Sequence, residues 1–205
     1  MSYGSIGYPT SAYVEPVYVE APPVVEAPLE VDAGVAVGAP PAAEPTLVDL
    51  GLSAFAAGDY HEARRVVMRA VLADEQNPFA LVVYGLADYA LGRYRAAASS
   101  IRRGITADPS LIDAPPDLEA IYGRHDDIER HRTSLESYLA GRADADAHLL
   151  LGFVYYAGGK PDLAAEQFER AIQIDPSDTV SWLLRDASSS VVPAQPPAEP
   201  GPIQP

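Results

Sequence analysis

The residues in this chain whose types could do chemistry are four histidines, His61, His125, His131 and His148, and the carboxylates Asp126, Asp127 and Glu129. A helical metal site needs two ligands one turn apart, at i and i+4, usually with a supporting Glu. No pair of these histidines has that spacing. His125 and His131 are six apart, which does not place them on one helix face, and they read as surface or helix-end histidines. The run Asp126-Asp127-Ile128-Glu129 has a simple role as favourable charge at a helix N-terminus. Asp144 and Asp146 alternate with Ala, unlike a calcium loop with its fixed Gly and distal Glu. There is no Gly-rich phosphate loop, nucleophile elbow or triad candidate. The absence of Cys excludes disulfides, thiolate metal sites and a Cys nucleophile. No catalytic residue, metal ligand or cofactor is expected, and the chain does not read as an enzyme.

The elements behind these residues are set by a repeat. Gly51 is answered by Gly85, Gly58 by Gly92, Tyr60 by Tyr94, Ala63 by Ala97 and Asp74 by Asp108, each step being 34 residues. A fixed period of that size marks a helical repeat array. Gly152 follows Gly85 by 67 residues, close to two periods. Gly51, Gly85 and Gly152 let one helix approach its hairpin partner closely. Ala63, Ala97 and Ala164 do the same from the second helix, and Val67, Ile101 and Phe168 fill the space between layers. One hairpin has too little core alone, so neighbours must stack.

The pattern resembles the tetratricopeptide repeat. The first copy supplies Leu47, Leu50-Gly51, Gly58, Ala63, Val67 and Ala70. The second supplies Leu81, Tyr84-Gly85, Gly92, Ala97, Ile101, Gly104 and Pro109. A third clear copy supplies Leu151-Gly152, Tyr155, Gly159, Ala164, Phe168, Ala171 and Pro176. A degenerate copy is expected between them, with Leu118, Tyr122, Leu135 and Tyr138 as its large apolar positions. The resemblance implies an all-α fold: an α-solenoid of about four helical hairpins plus a C-terminal capping helix, flanked by extended Pro-rich tails. The expected repeats are about 46–77, 78–110, 111–143 and 144–177, with the capping helix at 178–187.

Local signals place the helices. Thr46 with Asp49 suits a helix start, and Gly58 ends that helix. Asn77 caps the next first helix, with Pro78 at its first position. Pro115-Pro116 begins a short helix to Tyr122. Another runs from about Asp126 to Leu139, and Gly158-Gly159 turns the last pair. Ser177 caps the closing helix, whose Val180, Leu183 and Leu184 are expected to face inward, with Trp182 in the core or at its rim. The sequence after Ala187, residues 188–205, reads as a flexible Pro-rich tail.

Residues 1–45 contain no Lys or Arg and eight prolines, so a packed domain is not expected there. Tyr3, Tyr8, Tyr13 and Tyr18 recur every five residues, with Val17 and Val19 among their neighbours. This segment reads as an extended acidic arm, and its Tyr and Val side chains as docking points. The formal net charge of −15 makes nucleic acid an unsuitable partner. No apolar run is long enough to span a membrane. Met1-Ser2-Tyr3 lacks a basic start and an apolar stretch behind it, so no signal peptide is expected. The default location is then cytoplasmic, and an exported or periplasmic one requires a leader already removed. The chain also resembles bacterial repeat proteins in which a Tyr/Pro/Val-rich segment precedes the array, many of them exported.

In the resembling family the first helix of each pair lines the concave surface. Its positions fall here on Val48, Leu52 and Phe55, on Phe79, Val82, Leu86 and Tyr89, and on Leu149, Phe153 and Tyr156, with Pro116, Ala120 and Arg124 in the degenerate copy. The Lys, Arg and Asn set that grips a peptide carboxylate is missing, so this groove is expected to be apolar and aromatic. The first helices also carry Leu47, Leu50 and Leu81 on their other side, and a helix apolar on both faces is buried on both. Something must cover the groove: the chain's own arm through Tyr13, Val17, Tyr18 and Val19, a neighbouring subunit, or another polypeptide. The expected function is a protein-interaction or assembly module binding an apolar or Pro/Tyr-rich segment or a helix. The alternative is a structural subunit of a larger, envelope-type complex whose arm wraps a neighbour.

Overall fold

A computed structural model describes residues 44–191. Among the described residues the elements are nine α-helices and one short 3-10 turn, with no strand. The helices are α1 (Leu47–Ala56), α2 (Tyr60–Ala73), α3 (Pro78–Ala90), α4 (Tyr94–Ala107), α5 (Leu118–Tyr122), α6 (His125–Leu139), α7 (Ala145–Ala157), α8 (Pro161–Ile174) and α9 (Thr179–Val191). The fold is an all-α solenoid of helical hairpins. The arm residues Tyr3, Tyr8, Tyr13, Val17, Tyr18 and Val19 lie outside the described residues.

The helix starts follow their sequence signals. Thr46 and Asp49 form a reciprocal capping box at α1, and Asn77 and Asp144 accept from backbone N–H groups at the starts of α3 and α7. The Asp-Pro-Ser runs at 108–110 and 175–177 build the same turn. In each, the Asp carboxylate accepts from both the backbone N–H and the hydroxyl of the Ser. Ser177 is therefore used by the turn and does not cap the closing helix. That helix starts at Thr179, and the Ser181 hydroxyl donates to Asp178.

Close approach within the hairpins rests on the small residues. A Cβ added at Gly152 would sit 2.6 Å from the Phe168 ring, and one added at Gly104 would sit 2.9 Å from the Pro78 carbonyl oxygen. Ala63, Ala97 and Ala164 are fully buried.

The stacking order is the informative part. In sequence, α1–α2, α3–α4, α5–α6 and α7–α8 are the four hairpins. In space, α2 packs on α3, α4 packs directly on α7, and α8 packs on α9. The stack thus passes from the second hairpin to the fourth. Arg102 on α4 fixes that step: its guanidinium reaches Asp146 on α7 at 2.5 Å and Asp178, just before α9, at 3.0 Å. The α5–α6 hairpin packs on α1 and α7 instead. The reason lies in its small positions. One period after Gly85, Ala97 and Gly104 stand Glu119, His131 and Tyr138, which deny this pair the close approach the regular hairpins use.

Other details depart from expectation. The short helix begins at Leu118, not at Pro115-Pro116, because Asp117 caps it. Leu183 faces outward, 45% exposed, while Val180 and Leu184 are buried and Trp182 lies at the rim, 39% exposed. Trp182 donates from Nε1 to the Pro176 carbonyl, with the Arg185 guanidinium over its ring. The closing helix continues past Ala187 to Val191. Ser188, Ser189 and Ser190 each return a hydroxyl to the carbonyl four residues back, which satisfies these side chains within the helix.

Candidate functional site: the face of the first helices

The face built by α1, α3 and α7 is where the groove was expected. α3 shows its character: Ala80, Leu81, Val82, Val83, Gly85, Leu86, Ala87, Asp88 and Tyr89 are all buried. These positions go right round the helix, so α3 is covered on its groove side as well as its stack side. Of the expected groove residues, Phe55, Val82, Leu86, Tyr89, Leu149 and Phe153 are at most 1% exposed. Val48, Leu52 and Tyr156 are half-buried, and Phe79 is 39% exposed.

The cover among the described residues is the α5–α6 hairpin. Phe55, Val82, Leu86, Tyr89, Leu149 and Phe153 share one core cluster with Leu118, Ile121, Tyr122, Leu135 and Leu139. The Tyr122 ring meets Phe55 edge-on at 4.8 Å, and His131 meets Tyr60 at 4.9 Å and Tyr89 at 6.0 Å. Such edge-to-face pairs add to the stabilisation from area burial. At the end of α5, Gly123 is in the left-handed region, φ +62°, with Ala56 of α1 against it. A side chain there would meet both a strained backbone and the end of α1. Thus Pro116, Ala120 and Arg124 do not extend the groove. Pro116 is buried, and Ala120 and Arg124 are exposed on the hairpin that fills it.

Polar groups lace this seam. The Tyr60 hydroxyl donates to Asp127 Oδ2 at 2.6 Å. Asp127 is buried, and its carboxyl is held below the usual carboxylate range, first by Tyr60 and then by Arg130 and Arg124. Burial and the Asp127 charge push the Tyr60 hydroxyl up. The Tyr122 hydroxyl lies 3.1 Å from His131 Nδ1. Burial lowers the His131 pKa, helped by Arg130 and opposed by Asp127. Toward α7, the Tyr155 hydroxyl and Arg132 both donate to Glu136 Oε1 at 2.6 Å. Tyr156 donates to the Ile112 carbonyl at 2.8 Å, and the Tyr94 ring of α4 meets that of Tyr138 at 4.9 Å, tilted by 59°.

His131 is therefore not a surface histidine, and His148 is buried too, with Nδ1 2.9 Å from Gln167 Oε1. Asp126 and Asp127 do lie in the first turn of α6, but Asp127 also serves the seam. The sequence signal for these roles is the substitution pattern of the degenerate copy. A His and a Glu at positions that need Ala and Gly show that the pair must pack elsewhere. Between α5, α6 and the end of α7 a cleft of about 250 Å³ remains, with Leu118, Ile128 and Val154 among its lining residues and Glu119, His125 and Lys160 beside them.

Comparison with known proteins agrees with this geometry. Tetratricopeptide repeat family models match residues 48–112 and 145–178. The unmatched interval between them holds α5 and α6. The chain carries tetratricopeptide repeats in both matched stretches. Solved structures similar to it include a crystal structure of MamA, 25% identical over 69% of this chain and 90% of that one, TM-score 0.31. MamA 41-end from Desulfovibrio magneticus RS-1 is 20% identical over 70% and 88%, TM-score 0.32. TTC0263, a thermophilic TPR protein in Thermus thermophilus, is 22% identical over 70% and 80%, TM-score 0.32. No curated protein matches. Tetratricopeptide repeats are generally non-catalytic modules that bind other proteins, and the repeats here support an interaction or scaffold module. No helix among the described residues is long and apolar enough to cross a membrane.

Proposed function

We propose that this protein is a non-catalytic interaction module that takes a segment of another polypeptide along the face of α1, α3 and α7. The observation that carries the reading is the use the chain already makes of that face. It holds a two-helix segment through Phe55, Tyr89 and their apolar neighbours, with Tyr60 recognising a buried carboxylate. A surface that seats one amphipathic helix has the shape and chemistry for another of the same pattern. The preferred partner is therefore a helix with Tyr and Leu on one face and an acid near its N-terminus. An apolar or Pro/Tyr-rich extended segment, including the arm of a second copy, is the next choice. Val48, Leu52, Phe79 and Tyr156, which keep partial exposure, are the contacts such a ligand meets first.

The test is calorimetric titration of the full chain with two synthetic peptides, one with the sequence of residues 118–139 and one with that of residues 3–25. Binding of either peptide, weakened at least tenfold by Leu52→Arg or Phe79→Arg, supports the reading. Binding of neither, even to a variant with a loosened hairpin, overturns it.

A further inference from the structure

We propose that the α5–α6 hairpin is an intramolecular occupant of the binding face, displaced when a partner helix docks. This rests on the reading above and adds its regulation. Three observations carry it. First, the stack does not need the hairpin: α4 packs on α7, and Arg102 ties α4 to Asp146 and to Asp178. Displacement would leave the α2–α3, α4–α7 and α8–α9 contacts in place. Second, the seam is only partly apolar. Asp127 and His131 are buried in it, and Tyr89 carries a buried hydroxyl with no hydrogen-bond partner among the described residues. The Tyr89 hydroxyl gains water when the seam opens, which lowers the cost of opening. Third, the hairpin's contact with α7 is incomplete, since an open cleft of about 250 Å³ lies between its Leu118 and Ile128 and Val154 of α7.

The hairpin also has the form of a bound ligand. α6 buries Asp127, His131, Leu135 and Leu139 and turns Asp126, Arg130, Thr133, Ser134 and Ser137 to solvent. Loops 112–117 and 140–144 connect it to the stack, and swinging it away breaks the bonds from Tyr156 to Ile112 and from Tyr138 to Asp144. The partner that competes presents the same pattern: an aromatic ring for Phe55, a carboxylate for Tyr60 and leucines over α3 and α7.

The test compares three forms of the full chain as receptors for the residue 118–139 peptide. Leu135→Ala weakens the hairpin from its own side and leaves the face untouched. Asp127→Ala weakens it at a second point by removing the carboxylate that accepts from Tyr60. The expected result is at least tenfold tighter binding to Leu135→Ala than to wild type, and several-fold tighter binding to Asp127→Ala. Equal binding by all forms would overturn the gate while leaving the binding face standing. Failure of every form to bind would remove both.

Discussion

Tyr60 and Asp127, 67 residues apart, share a buried 2.6 Å hydrogen bond that joins the first hairpin to the inserted one. Tyr60 sits at the start of α2, where Tyr94 stands in the next repeat. The same position thus serves two purposes: Tyr94 packs its ring against Tyr138, and Tyr60 holds a carboxylate. Tyr60→Phe keeps the ring against Phe55 and removes only the donor. Asp127 keeps Arg130 at 2.6 Å, so the loss should be about 1–2 kcal/mol. Hydrogen exchange should localise it: α6 amides should exchange several-fold faster, with α3 and α8 unchanged.

Arg102 should behave differently because it belongs to the stack. It spans α4, α7 and the start of α9, and Asp178 is nearly buried. Arg102→Ala leaves two carboxylates without their shared cation, and about 1–3 kcal/mol of global stability should go with it. Arg102→Lys should restore less than half, since one ammonium cannot fork to both acids. Thermal denaturation followed by circular dichroism reads both variants.

Gly104→Ala tests close packing inside a regular hairpin. Ala is the better helix former by about 1 kcal/mol, so a free site would be stabilised. Here the added Cβ meets the Pro78 carbonyl oxygen at 2.9 Å and Val82 Cγ2 at 2.8 Å. A backbone oxygen cannot swing away, so the net effect should be a loss of about 1–3 kcal/mol. A rise in Tm would mean that α3 and α4 stand further apart than described.

The seam should weaken in mild acid. His131 faces the rings of Tyr60, Tyr89 and Tyr122, with Arg130 and Asp127 on its own helix. Its pKa when buried lies below the ordinary value of about 6.5. When the hairpin opens, His131 binds a proton more readily than when closed. Its contribution is therefore full above about pH 6.5 and falls as pH drops below that. Asp127 has the depressed pKa of a stabilised carboxylate, so its contribution is lost only further down, below about pH 4. The opening free energy of the α6 amides, with exchange corrected for its own fall with pH, should drop between about pH 6.5 and 5 in wild type and stay flat there in His131→Gln.

The regular part of this fold was legible because its physics is local. Gly and Ala at fixed spacing, Thr46 and Asn77 at helix starts, and prolines after Asp108 and Asp175 act within a few residues of themselves. The apolar groove was legible as a composition, and so was the need for a cover. What covers it was not. That outcome depends on Tyr60, Tyr122, Asp127 and His131 meeting across up to 71 residues of chain, and no local pattern encodes such a meeting. The clue was negative: Glu119, His131 and Tyr138 stand where the repeat needs Gly or Ala.

The most direct measurement is native-state hydrogen exchange on the full chain, read residue by residue for α6 against α3, α4, α7 and α8. A stack that is complete without the hairpin predicts two classes. The α6 amides should open together at lower free energy, leaving the other four helices protected. A single opening shared by all five helices would contradict this. It would make α5–α6 part of one indivisible core.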